Sequence, residues 1–297
     1  MNTIPSPSGT GAPRYVVVTG AGSGIGQATT AHLLGAGYRV LGGALSADEA
    51  HRLQAEFGPQ FTPLCIDVRD EHSLEAAADQ VAALLGPQRL AALLNIAGVI
   101  TNGPLVDLSA SEFSNLLAVN LVGMHAVTRA FLPLLGSDPG RRGAPGRIVN
   151  ISSASGTRTM PFTGAYSASK FGVEALSTAM RLEFRPLGID VVVVAPGLIH
   201  TPMAVKIQSE LQKPPSLAVY TVPLQRFLEQ ARQATRQGIP LGRVVRVIAD
   251  AVERPHPQAR YAIHHHFFRD AVLMRALPLR YRDALVGRLL GLHKSAP

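Results

Sequence analysis

The chain has 297 residues, 46% hydrophobic and 16% charged, which is ample material for a substantial core. Its formal net charge of +8 is carried almost wholly by arginines dispersed along the chain, without the interleaved aromatics that a nucleic-acid groove wants, so nucleic acid is excluded as the expected partner. Cys65 is the single cysteine, which rules out an intrachain disulfide; in an apolar strand it reads as a buried, inert thiol in a cytoplasmic protein.

Residues 1–13, rich in Pro, Ser, Gly and Thr, read as a disordered tail without the charged and apolar regions of a signal peptide. No later segment reads as long and apolar enough to span a bilayer, which leaves at most weak peripheral contact with a membrane. From residue 14 onward, apolar strand-like runs alternate with longer amphipathic ones and no repeat is visible. That alternation predicts a single α/β domain, a Rossmann-type doubly wound parallel sheet flanked by helices.

Tyr15 to Thr19 is a β-branched run that leads through Gly20-Ala21-Gly22-Ser23-Gly24-Ile25-Gly26 into a helical pattern. Strand, glycine turn and helix start together predict a phosphate site, because glycines let the backbone approach a pyrophosphate whose charge the free N–H groups attract. The second strand, Arg39 to Ala44, ends without the acid that would take the ribose hydroxyls of NAD and without a basic group for the NADP phosphate. Asp48 is a late substitute, and the missing positive charge favours NAD. Helical patterns at Ala47 to Phe57 and His72 to Leu85 flank a third strand, Phe61 to Ile66, which closes on Asp67-Val68, where a carboxylate meets an adenine amino group.

Leu90 to Leu94 reads as the fourth strand, followed by Asn95-Ile96-Ala97-Gly98, whose small residues let a cofactor lie against the backbone. A long helix is predicted over Phe113 to Leu135, with Asn120 inside it. The fifth strand, Arg147 to Ile151, delivers Ser153, and a further helix begins at Tyr166 and runs to Leu187. Tyr166 and Lys170 stand at i and i+4, about 5–6 Å apart at Cβ on one helix face. From that spacing the ammonium is expected to pull the phenol pKa down and make Tyr166 a general acid or base near neutral pH. The sixth strand, Asp190 to Ala195, ends at Pro196-Gly197.

Taken in order, Thr19 to Gly26, Asn95 to Gly98, Asn120, Ser153, Tyr166 with Lys170, and Pro196-Gly197 with Thr201 resemble the short-chain dehydrogenase/reductase family, over about Tyr15 to Pro202. The resemblance implies that Tyr166 gives or takes the proton, Ser153 orients the substrate oxygen, Lys170 holds the nicotinamide ribose, and Asn120 positions a water in a proton relay. It also implies cofactor contacts from Gly20, Ser23, Gly24, Ile25, Gly26, Asp67, Val68, Asn95, Ala97, Gly98, Tyr166, Lys170, Pro196, Gly197, Ile199 and Thr201. The second Asn of the family's Asn-Asn-Ala-Gly motif is Ile96 here. Lys170 to Leu176 and Arg185 to Ile189 are more loosely similar to the branch that holds retinol and hydroxysteroid dehydrogenases.

Beyond Met203 the shared pattern ends, and residues 203–240 are expected to form a lid in which Leu224, Phe227, Leu228 and Ala231 share a helical face. That face either covers an apolar substrate or packs on the core. Arg243 to Val252 reads as a helix and Arg260 to Ile263 as a last strand. His264-His265-His266 cannot chelate one metal from a strand, because alternate side chains point to opposite sides, and no metal is expected. Residues 267–292 form an amphipathic helical tail that suits packing, a subunit contact or a lipid surface. The expected activity is hydride transfer between NAD or NADP and a small-molecule alcohol or carbonyl compound, preferably lipophilic, by a homodimer or homotetramer. A non-catalytic cofactor sensor and a nucleotide-sugar epimerase or dehydratase are the rival readings.

Overall fold

A computed structural model describes residues 13–199, 214–236, 238–264 and 278–293. Seven strands, β1 (Tyr15–Val18), β2 (Arg39–Ala44), β3 (Phe61–Cys65), β4 (Ala92–Asn95), β5 (Arg147–Ile151), β6 (Asp190–Pro196) and β7 (Arg260–Ile263), form one sheet in the order β3-β2-β1-β4-β5-β6-β7. Every pairing is parallel. The helices are α1 (Gly24–Gly35), α2 (Ala47–Phe57), α3 (Glu71–Leu85), α4 (Ala110–Leu117), α5 (Gly123–Leu132), α6 (Gly164–Glu183), α7 (Thr221–Arg236), α8 (Leu241–Glu253) and α9 (Leu279–Leu290).

Parallel strands covered on both faces need no polar alternation, which is why β1 and β6 read as unbroken valine runs. Val16 and Val18 join Leu33 of α1 and Ile248 of α8 in the core on one face. Val17 packs on the other face with Leu93, Val127 and Phe131 of α5, and Val173 of α6. Helix starts follow the local chemistry: Ser46 Oγ accepts from Glu49 N at α2, Asp70 caps α3, and Ser109 with Glu112 makes a capping box on α4. The chain moves outward from β1 through β2 to β3, then crosses back to β4 beside β1. This reversal opens a crevice above the carboxyl ends of β1 and β4, the usual ligand position in such sheets.

Three expectations need correction. Cys65 is exposed, because it is the last residue of an edge strand and has no neighbouring strand on its outer side. The helix predicted at Phe113 starts at Ala110 and is not uniform, since π-helical turns at Ala118–Val122 and Pro133–Ser137 interrupt it. Within the same stretch, Ala110–Ser137, an 18-residue window has a mean hydropathy of 1.3 and meets the length and composition of a membrane span, contrary to the sequence reading. Its inner side is core, with Met124, Val127, Phe131, Leu134 and Leu135 packed against the sheet.

Candidate active site

The turn between β1 and α1 is shaped by contacts that leave no room for side chains. Gly20 has φ 67°, and a Cβ there would lie 2.9 Å from the Ala97 backbone; one on Gly26 would lie 1.9 Å from Gly20 O. Thr19 Oγ1 fixes the opposite wall by accepting from Ile96 N at 3.0 Å and Ala97 N at 3.1 Å. Ser23 stands at the start of α1 without a side-chain cap, and no acid occupies that first turn. Its free N–H groups and helix dipole therefore face the crevice with no acid of their own helix against them, which fits the pyrophosphate of a dinucleotide. Ile25 lies half-buried beside them.

At the end of β3, Asp67 is grasped by the Arg69 guanidinium, with contacts of 2.6–3.2 Å. Those hydrogen bonds hold its carboxyl below the usual carboxylate range. Val68 is buried under Gly123. Asn95 turns inward: its Nδ2 donates to Thr128 Oγ1 at 3.0 Å and Asn150 Oδ1 at 2.8 Å, and Asn150 Nδ2 donates to Ser177 Oγ at 2.9 Å. The side chain thus ties β4 and β5 to α5 and α6, and only its backbone borders the crevice. The sequence reading missed Asn150 and Ser177; a polar residue inside the apolar run Arg147–Ile151 was the available signal.

Asn120 sits in the first π-helical turn, a feature that recurs at functional sites. Its Oδ1 accepts from Val99 N at 2.8 Å, and its Nδ2 donates to Val99 O at 2.9 Å and Ser169 Oγ at 3.1 Å. Helix α6 and β5 bring Ser153, Tyr166 and Lys170 together. Ser153 lies close enough to the Tyr166 phenol to act on its titration, and Lys170 Nζ lies 5.8 Å from the Tyr166 ring centre and donates to Ile151 O at 2.9 Å. A Cβ on Gly98 would fall 3.3 Å from Asn120 Oδ1 and 3.9 Å from Lys170 Nζ, so the small-residue turn after β4 closes the same site.

The expected lowering of the tyrosine pKa is not found. Burial pushes the phenol up to about 12, against the smaller opposing effect of the Ser153 hydrogen bond, and burial pushes Lys170 down to about 8, against the smaller pull of Glu174. Spacing predicted a charge effect from Lys170, whereas burial is the largest cause of the shift. Near neutral pH, Tyr166 is a proton donor and Lys170 a cation.

At Ala165, the residue before Tyr166, opens a cleft of about 710 Å³ whose walls mix Leu105, Phe162 and Leu224 with Thr101, Asn102 and Ser216 and expose more polar than apolar surface. Its acids are already engaged: Asp107 holds Ser216, and Glu112 closes the α4 capping box. Phe162 has φ 68°, the one positive φ outside glycine among the described residues, and meets the rings of Phe227 at 5.7 Å and Tyr220 at 6.2 Å. An observed outlier of this kind marks a constrained site. Leu224, Phe227 and Leu228 are buried in that cluster together with Leu290 of α9, whereas Ala231 lies beyond it. Pro196 ends β6, Gly197 N donates to Ile263 O at 2.9 Å, and Ile199 is buried beside Ile239. Thr201, residues 203–213 of the lid, His265 and His266, and residues 267–277 of the tail lie outside the described residues. Among the described residues there is no cluster of potential metal ligands.

A family profile described as short chain dehydrogenase matches residues 14–212. Short-chain dehydrogenase/reductase family 9C member 7 of Bos taurus is 38% identical over 63% of this chain, and the match spans 58% of that relative's length. Retinol dehydrogenase 5 of Mus musculus is 31% identical over 84% of this chain and 80% of its own. Among solved structures, a short-chain dehydrogenase from Streptomyces avermitilis has a TM-score of 0.74 at 24% identity, covering 95% of this chain and 96% of its own, a likeness of fold.

Proposed function

The chain belongs to the short-chain dehydrogenase/reductase family, NAD(P)-dependent oxidoreductases acting on CH–OH groups, and from that premise we propose that it interconverts a lipophilic alcohol and its carbonyl compound, with Tyr166 as the proton donor and acceptor and NAD as the preferred cofactor. The observation that carries this reading is the buried phenol of Tyr166, with Ser153 acting on it and Lys170 beside it, next to a cleft lined by apolar and polar side chains together. The cleft falls within the size range of small-molecule pockets. A relative named retinol dehydrogenase supports a lipophilic substrate.

The nicotinamide cofactor supplies or takes the hydride, and the protein orients the partners and moves one proton. The glycine turn with Ser23, Gly24 and Ile25 would hold the pyrophosphate, Asp67 and Val68 the adenine, and Lys170 the ribose near the reacting carbon. In carbonyl reduction, Tyr166 donates its proton to the substrate oxygen while Ser153 donates a hydrogen bond to the same atom. In alcohol oxidation, the phenolate must form first, and the Lys170 cation stabilises it.

Reduced-nicotinamide formation, followed with NAD and with NADP against small polar and large lipophilic alcohols, tests the reading. Turnover should favour the lipophilic alcohols, and Tyr166→Phe should lower it by about 10²–10⁴-fold. Tight cofactor binding without turnover on any alcohol would instead favour a sensor.

A further inference from the structure

The adenosine end of the cofactor site has a carboxylate that the sequence conceals. In dinucleotide folds an acid at the end of β2 takes the ribose hydroxyls, yet β2 ends here at Gly43-Ala44 and continues into Leu45. Glu49, in the first turn of α2, reaches back to this position. Its Oε2 accepts from Leu45 N at 2.9 Å, and a Cβ placed on Gly22 would meet its Oε1 at 1.9 Å. One carboxylate therefore spans the end of β2 and the glycine turn.

Arg52 stands beside it. One of its guanidinium nitrogens lies 3.8 Å from Glu49 Oε1 and donates to Gly22 O at 3.1 Å, and the other reaches Glu56 at 3.1 Å. Glu56 in turn accepts from Gln27 Nε2 of α1 at 2.6 Å. The Glu49 side chain is 29% exposed and that of Arg52 50% exposed, so a ligand can reach both.

Building on the proposed NAD preference, we propose that Glu49 selects NAD over NADP, accepting the ribose hydroxyls and repelling a 2′-phosphate, while Arg52 aims the carboxylate. Helix capping alone does not account for the charge. The bond from Leu45 N asks only for an acceptor, which glutamine supplies equally well. A like charge against phosphate is where Glu and Gln differ.

The test is binding of NADH and of NADPH to the whole protein, read from nucleotide fluorescence, for the native chain, Glu49→Gln and Glu49→Gln with Arg52→Ala. The native protein should bind NADH more tightly. Glu49→Gln should narrow the NADH-to-NADPH affinity ratio by about tenfold or more at an unchanged melting temperature without nucleotide. Adding Arg52→Ala should then remove the NADPH gain, because the freed guanidinium is the phosphate's partner. An unchanged ratio in Glu49→Gln, or a native preference for NADPH, would overturn the proposal. Absence of binding by either nucleotide overturns it together with the cofactor reading. NADH binding without alcohol turnover removes only the proposed reaction and leaves the role of Glu49 standing.

Discussion

Tyr166 and Lys170 are buried in one site and displaced in opposite directions, the phenol from 10.0 up to about 12 and the ammonium from 10.5 down to about 8. For Lys170, the unfolded chain binds more protons than the folded one between about pH 8 and 10.5, so this residue's contribution to stability rises with pH across that window. For Tyr166, the folded chain keeps its proton longer, so its contribution is full below pH 10 and is lost as pH rises towards about 12. Urea unfolding of Lys170→Met beside the native protein should therefore show the native curve gaining on the variant from about pH 8 to 10.5. Parallel curves over that range would mean that the lysine titrates normally. The pairing of Tyr166 with Lys170 was legible in the sequence because i and i+4 spacing survives folding. The direction of the shift was not, because desolvation depends on what the rest of the chain places around the phenol.

At the level of elements, strand positions and helix placement followed from apolar runs and glycine turns, and β2, α2, β5 and β7 begin and end where the pattern put them. The π-helical turn around Asn120 escaped the pattern, since one extra residue per turn hardly alters an apolar periodicity that already continues on both sides. Glu49 escaped it too: its position in α2 was visible, but its reach back to Leu45 and Gly22 is tertiary. The π-helical turn delivers an amide that pairs with both backbone groups of Val99. Asn120→Ala leaves that N–H and C=O without their partner, at about 1–3 kcal/mol for each group that stays buried. A loss of a few kcal/mol in urea unfolding, with faster amide exchange at Val99, is the expected result. Unchanged exchange there would show that the turn after β4 is held by other contacts.

For the whole molecule, the unexpected hydropathy of Ala110–Ser137 has a physical account in which both sides of the helix are used. The inner side packs on the sheet, and the outer side leaves Phe113 and Val122 exposed. The neighbouring helix α6, which packs against α4 and the π-helical turn, adds exposed Phe171 and Leu182. Apolar side chains on adjoining helices suit a self-complementary contact, because a two-fold axis brings the same surface of two chains face to face. We expect a homodimer or homotetramer through α4, α5 and α6, measured by sedimentation equilibrium. Val122→Glu with Phe171→Glu should move the native mass to that of one chain, since four buried, unpaired carboxylates per two-fold contact oppose association. The substitutions lie on exposed positions, so the melting transition should persist in the dissociated form. A native protein that already sediments as one chain would sink the idea. An associated variant would move the contact elsewhere, with Leu279, Tyr281 and Leu289 of α9 the next exposed apolar group to substitute.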